Sequence, residues 1–377
     1  MIQFQQRHLG IALSAVLGLI VLAPVAEAQQ QTASPSMREQ RAKRLAELGK
    51  TKEEAKNPEA TQSALYPNAS RVSPEVTASA KMVKNLEALQ ALYEAQDMPG
   101  VIAKAEEIVT MPAANAYEKS YAYSIAANAA ADQDDQTKAA EYFRKAIDAN
   151  GLENDSHLTT MFNLAVIQFR LDRHPDALAT IDRFLAESKS DKPEHQGFRA
   201  GILANVDRHD EAATIYKDLV AKNPADKRLL MNAVAALQGA DKFDQANVLL
   251  ADAYTRGMLT ESRELRALYV GYMNSQRWDE ARKVVDDGVA KGVLQAGPDL
   301  ARDYMVLAQN AYVDDKVALA AELYAKAAPM ASDGEAYLNL AKVLEFSGKK
   351  ADAKTAAQKA LDKGVKKPDE AKGILSR

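Results

Sequence analysis

Seven alanines, Ala139, Ala177, Ala212, Ala246, Ala281, Ala320 and Ala353, occupy one equivalent place in seven successive stretches of sequence, at separations of 38, 35, 34, 35, 39 and 33 residues. Each lies midway through a pattern of two short amphipathic helices joined by a turn. A helical hairpin of that size cannot bury its apolar face alone, so such units become stable by stacking on their neighbours. The period predicts an all-α superhelical solenoid, and it directs the search for function to a stacked surface rather than to a catalytic cleft.

The helical periodicity runs from about residue 81 to the C-terminus, broken by short turns rich in Asp, Asn, Gly or Pro, and no strand pattern interrupts it. The clearest unit is 334–367. Tyr337, Leu340, Ala341 and Leu344 line its first helix, Gly348 makes the turn, and Ala353, Ala357 and Ala360 line the second. Ala341 and Ala353 are small enough for the two helices to cross closely. The same frame recovers Tyr304, Leu307, Ala308, Ala320, Tyr324 and Ala327 one unit earlier, and Leu164, Ala165, Ala177, Ile181 and Phe184 further back. Turns such as Asp132-Gln133-Asp134 and Asp207-Arg208-His209 replace the usual glycine. About eight helix-turn-helix repeats result, the first a degenerate one over 82–111. Two junctions, around 149–156 and 292–299, exceed the period and are expected to bend the array, hinge it, or lengthen a helix.

Ahead of the repeats, Arg7, an apolar run of 14 residues from Leu9 to Leu22, Pro24 and Ala26-Glu27-Ala28 read as a signal peptide over 1–28. The run is short for a bilayer, which takes about 20 apolar residues. A mature chain of 377 − 28 = 349 residues is expected, exported to the periplasm and soluble; Gln29, rather than cysteine, follows the cleavage site, which argues against a lipoprotein. No later stretch has the length of a membrane span. Residues 29–80 are polar and turn-rich and are expected to form a flexible arm, with at most a short helix over 37–50.

Loss of Arg7 and Glu27 leaves the charge balance at 47 − 51 = −4, and a pI near 5.9 gives no overall field to attract nucleic acid. The absence of cysteine removes thiolate metal sites, thiol nucleophiles and disulfides. There is no HExxH, phosphate loop or nucleophile elbow. No enzyme, cofactor or metal is therefore expected. His174 and His209 each follow Asp-Arg at equivalent turns, a weak metal candidate outweighed by ordinary surface histidines. Asp134-Asp135, Asp286-Asp287 and Asp314-Asp315 sit at turns or helix ends, where carboxylates cap helices. The lysine-rich end, from Lys349 to Lys367, is expected to be a soluble cap.

The concave wall of such a solenoid is built mainly from the first helix of each repeat. The frame places Tyr121, Ser124, Asn128, Phe162, Val166, Phe169, Arg170, Met231, Gln238, Arg263, Arg266, Met273, Asn274, Met305, Gln309 and Tyr312 there. Aromatic and methionine side chains on such a wall suit the binding of a protein segment.

A period near thirty-four with a small residue at the helix crossing resembles the tetratricopeptide repeat. Beyond that, ALYVGYMNSQRWDEA, ASDGEAYLNLA and ALDKGVKKP, with YAYSIAANAAADQDDQTKAAEYFRKAIDANGL earlier, resemble the exported repeat proteins found with TonB-type energy-transduction systems of Gram-negative bacteria. The resemblance covers about residue 117 to the C-terminus. It implies a periplasmic accessory touching TonB, ExbB, ExbD or an outer-membrane transporter, and supplies no residue-level binding motif. The alternative is an envelope chaperone or a cell-wall or outer-membrane assembly adaptor. Relatives often continue past Lys367-Pro368-Asp369 with another repeat, where this sequence stops.

Overall fold

The computed structural model describes residues 64–74 and 76–377, so the expected signal peptide and residues 29–63 of the expected arm lie outside the described residues. Among the described residues there are seventeen helices and no strand. They fall into two compact units, 64–241 and Lys242–Arg377.

The N-terminal unit contains α1 (Val83–Glu94), α2 (Met98–Thr110), α3 (Ala116–Asp132), α4 (Gln136–Ala149), α5 (Asn154–Arg170), α6 (His174–Ser188), α7 (Pro193–Asn205), α8 (His209–Lys222) and α9 (Lys227–Gly239). The C-terminal unit contains α10 (Phe243–Thr255), α11 (Ser262–Asn274), α12 (Trp278–Ala290), α13 (Pro298–Val313), α14 (Val317–Met330), α15 (Glu335–Phe346), α16 (Lys350–Lys363) and α17 (Pro368–Ser376). Within each unit every helix packs on its sequence neighbours. In chain order the helices make eight pairs plus α17, which buries Ala371 and Ile374; the members of the fifth pair, α9 and α10, lie in different units.

One device makes the turn inside every pair. Gln96, Asp134, Asp172, Asp207, Asp241, Gln276, Asp315 and Gly348 are all left-handed, with φ between +56° and +79°. In seven of these turns the next residue's N–H reaches back five residues to a carbonyl of the first helix, as from Asp135 to Ala130, Arg208 to Leu203 and Lys349 to Leu344, all at 2.9 Å. This Schellman closure satisfies carbonyls that the helix end leaves unpaired. Asp tolerates the left-handed region better than most side chains, which is how aspartates stand in for glycine here. The turn residues repeat at the spacing of the alanines.

Those seven alanines are all buried, none more than 1% exposed. A larger side chain at any of them would push the crossing helices apart. Around them the N-terminal unit packs Leu158, Phe143, Ile181, Phe184 and Leu203, and the C-terminal unit packs Leu250, Tyr269, Val285 and Leu323.

Both long junctions are tightly held. At 149–156 the extra length is absorbed partly by α5, which has 17 residues. Asn150 is left-handed, and Gly151 lies so close to α3 that a Cβ there would stand 2.2 Å from the carbonyl of Ala116. The Gly151 N–H donates to Ser120 Oγ at 2.8 Å, and Leu152 is buried. At 292–299 the extra length goes into the 16 residues of α13 and a loop that tucks Leu294 against Gly288.

Candidate protein-interaction surface

In the N-terminal unit the first helices α3, α5 and α9 carry the candidate wall. Tyr121, Ser124 and Asn128 on α3, Val166 on α5 and Met231 and Gln238 on α9 are half-buried, and Arg170 is exposed. Tyr121 also lies beside Tyr117, the rings tilted by 37° with centroids 6.0 Å apart. These side chains present hydroxyl, amide, thioether and ring surfaces at helical spacing, a set suited to hydrogen-bonding and covering a peptide.

Phe162 and Phe169 do not belong to that wall. Both are buried, in a cluster where Phe162 lies 5.4 Å from Phe184, 4.7 Å from His195 and 5.5 Å from Phe198, and Phe169 lies 5.8 Å from Phe198. Their area serves repeat packing, where aromatic side chains contribute most.

In the C-terminal unit Met273 is likewise buried. Arg266 is drawn inward by Asp303 at 3.2 Å and Asp299 at 3.9 Å, and Arg263 pairs with Glu261 at 2.8 Å. Asn274, Gln309 and Tyr312 are exposed and Met305 half-buried; Gln309 accepts from the Tyr324 hydroxyl, and Tyr312 packs edge-on against Phe346 at 6.0 Å. Periodicity located the helix face, but not how far neighbouring helices reach over it.

Sequence reasoning missed a second surface. Residues 64–74 and 76–80, expected to belong to the flexible arm, run along the edge where the first helices begin and the second helices end. Asp155 accepts from the N–H groups of Leu65 and Tyr66 at 2.9 and 3.2 Å. The Tyr66 ring is 9% exposed, edge-on to Phe184 at 5.5 Å, with Lys192 Nζ 5.4 Å from its centroid. Ser70 N–H donates to the Glu187 carbonyl at 2.8 Å, at the C-terminal end of α6. Arg71 donates to Asn154 Oδ1 and Asn150 Oδ1, both at 2.7 Å, and to the Leu152 carbonyl at 3.0 Å, while Asn154 Nδ2 donates back to the Arg71 carbonyl at 2.8 Å.

At the far end Ser79 donates from both N–H and Oγ to Glu118 Oε1 at 2.7 Å. Glu118 is buried and closes a capping box with Asn115. Burial pushes its carboxyl up, but the hydrogen bonds from Asn115 and Ser79 outweigh that and hold it below its ordinary value. The Asn115-x-x-Glu118 pattern was readable as a helix start; its link to Ser79 was not.

The remaining candidates have structural surroundings. The ring of His174 packs on Phe169 at 4.9 Å with Asp172 3.8 Å away, whereas His209 lies beside Gly239 with Asp207 3.6 Å away. Among the described residues no group of three or more His, Cys, Asp or Glu is placed to hold a metal ion. Asp135 caps α4, but Asp287 instead accepts from the Tyr254 hydroxyl, and Asp286 from Tyr304 and Lys326. Lys363 donates to the Ala328 and Pro329 carbonyls at the end of α14. No helix among the described residues is long and apolar enough to cross a membrane.

Residues 126–193 and 162–227 match one tetratricopeptide repeat family profile, and 334–362 match another. No curated protein sequence matches the chain. Among solved structures it is similar to a tetratricopeptide repeat protein from Parabacteroides merdae, at 18% identity over 72% of this chain and 97% of that one, with a TM-score of 0.38. It is also similar to YrrB, described as a TPR protein with an unusual peptide-binding site, at 19% identity over 49% of this chain and 90% of that one, with a TM-score of 0.40. Repeats of this type generally form extended surfaces for protein–protein interaction. Residues 126–227 and 334–362 are therefore tetratricopeptide repeats, set among the helical hairpins that recur within each unit.

Proposed function

We propose that the protein is a non-enzymatic scaffold of the Gram-negative periplasm that binds protein segments and assists TonB-dependent transport. The interaction half of this reading is carried by the half-buried and exposed side chains on the first helices of each unit, Asn128, Arg170 and Gln238 in one and Asn274 and Tyr312 in the other. They offer polar and aromatic contacts while the buried members hold the helices in place. The periplasmic and transport half rests on the leader-like 1–28 segment and on the resemblance of ALYVGYMNSQRWDEA, ASDGEAYLNLA and ALDKGVKKP to TonB-associated repeat proteins.

The test is binding of the purified protein to the periplasmic domains of TonB and ExbD. The expected result is binding to at least one, weakened when Asn128, Gln238 or Tyr312 is replaced by Ala. Absence of binding to both sinks the transport reading, and specific association with unrelated envelope clients would move the assignment to an envelope chaperone or assembly adaptor.

A further inference from the structure

We infer that the edge formed by the ends of α3 to α7 is a second peptide-binding site, specific for a segment that carries a tyrosine at the start of a tight turn and, five residues later, an arginine, with residues 65–74 and 76–79 as its resident ligand, bound in cis and exchangeable. The site has three built parts. A pocket lined by Phe184, His195 and Lys192 takes the Tyr66 ring, with Asp155 fixing the backbone beside it. An acceptor cluster from Asn150, Leu152 and Asn154 takes the guanidinium of Arg71, at the C-terminal end of α4, where the helix dipole favours a cation. Between them the last carbonyls of α6 take Ser70, through its N–H and hydroxyl.

Two observations make this a ligand rather than a part of the core. Among the described residues between Tyr66 and α1 only Tyr66 and Met82 bury their side chains, while Leu65 and Val72 are 55% and 89% exposed. The helices beneath are also capped without the segment: α3 by the reciprocal Asn115 and Glu118 bonds, and α5 by Glu153, which accepts from Ser156 N–H at 3.2 Å. Removing the segment therefore uncovers a formed site. Its short covalent connection to α1 gives it an effective concentration on the order of millimolar, enough to exclude weak competitors. This inference concerns a surface separate from the first-helix wall and is independent of whether TonB is the partner.

The experiment measures binding of a fluorescent peptide, with the sequence of residues 64–80, to the full chain and to its Tyr66→Ala/Arg71→Ala variant. The variant is expected to keep its helical circular dichroism and to bind the peptide at least about tenfold more tightly than the wild type, whose site is filled. A peptide with the same Tyr and Arg replaced by Ala is expected not to bind. A folded variant that ignores the native peptide, or that binds both peptides alike, overturns the proposal. Hydrogen exchange on the wild type covers the case of a variant that fails to fold. The Tyr66 and Ser70 amides are expected to be protected, yet to exchange roughly a hundredfold faster than amides in the middle of α5, because the segment opens locally. Protection equal to α5 would make it core, no protection would mean that it is not bound, and either result overturns the proposal.

Discussion

The hydroxyl of Tyr269 on α11 donates a hydrogen bond of 2.7 Å to Oδ2 of Asp303 on α13, and both side chains are buried. Arg266 meets the other carboxylate oxygen at 3.2 Å. Burial, then the neighbouring carboxylate, pushes the Tyr269 phenol well above its ordinary range, so it stays protonated and donating. The bridge joins the first helices of successive repeats. It has counterparts elsewhere: Tyr142 to Glu106 joins α4 to α2, and Tyr254 to Asp287 joins α10 to α12 at 2.5 Å. Such polar ties fix the register in which two apolar hairpins stack, which apolar packing alone specifies poorly.

Replacing Tyr269 by Phe should therefore cost more than the small change in buried area. Asp303 loses a donor in a place water does not reach, at a cost of about 1–3 kcal/mol. Urea denaturation should show a lower midpoint with unchanged helical content. A midpoint equal to the wild type would mean that the bond contributes nothing.

Ala320 is fully buried on α14, in the same hairpin as the buried Ala308 on α13. Ala320→Leu should overpack the crossing and cost about 1–3 kcal/mol or more. Thermal unfolding checks this, and an unchanged melting temperature would show that the helices do not meet there.

The left-handed turns differ in what they tolerate. Gly348→Ala adds a Cβ at φ +79° and should cost about 1–2 kcal/mol, even though no atom lies within 4 Å of that Cβ. Asp207→Gly, at φ +58°, removes one and should change stability by less than about 1 kcal/mol, because relief of the left-handed strain offsets the added freedom of the unfolded chain. Equal losses at both positions would contradict the turn geometry.

Acid should weaken the N-terminal unit before its carboxylates titrate. His157 and His195 are buried, and burial holds both imidazoles down at about 4, from 6.5. As pH falls from 6.5 toward 4 the unfolded chain takes up protons that the folded chain refuses, so stability falls by up to about 1.4 kcal/mol per pH unit for each histidine. Below about pH 4 both states are protonated and this contribution levels off. Glu118, whose carboxyl is held low, adds a separate loss as pH drops below 4.5. Among the described residues neither ring nitrogen of His157 has a hydrogen-bond partner, Glu187 Oε2 lying 4.0 Å from Nε2, so His157→Leu should fold and show a shallower slope between pH 7 and 5. An unchanged slope would place the proton uptake elsewhere.

The repeat period, the buried alanines and the aspartate turns were legible because each is a local requirement imposed on one residue at a fixed place. The wall residues were legible only as a helix face. Phe162, Phe169 and Met273 share the spacing of Tyr121 and Tyr312, and only the neighbouring hairpin decides which of them it covers. The docked segment was illegible for a different reason. Its partners Asp155, Asn150, Asn154 and Glu187 lie about 80 to 120 residues away in sequence, and its polar composition is that of a solvated tail. The isolated Leu65-Tyr66 pair was the one signal that pointed the other way.

The central claim, that the first-helix wall binds a protein of the TonB-dependent uptake machinery, is tested most directly by site-specific photo-crosslinking in intact cells. A photoreactive residue would replace Gln238 or Tyr312 on the wall, with one replacing the exposed Thr355 on α16 as control. The account predicts that TonB, ExbB, ExbD or an outer-membrane transporter is captured from the wall positions and not from the control. Capture of none of these, or equal capture from wall and control, would contradict it.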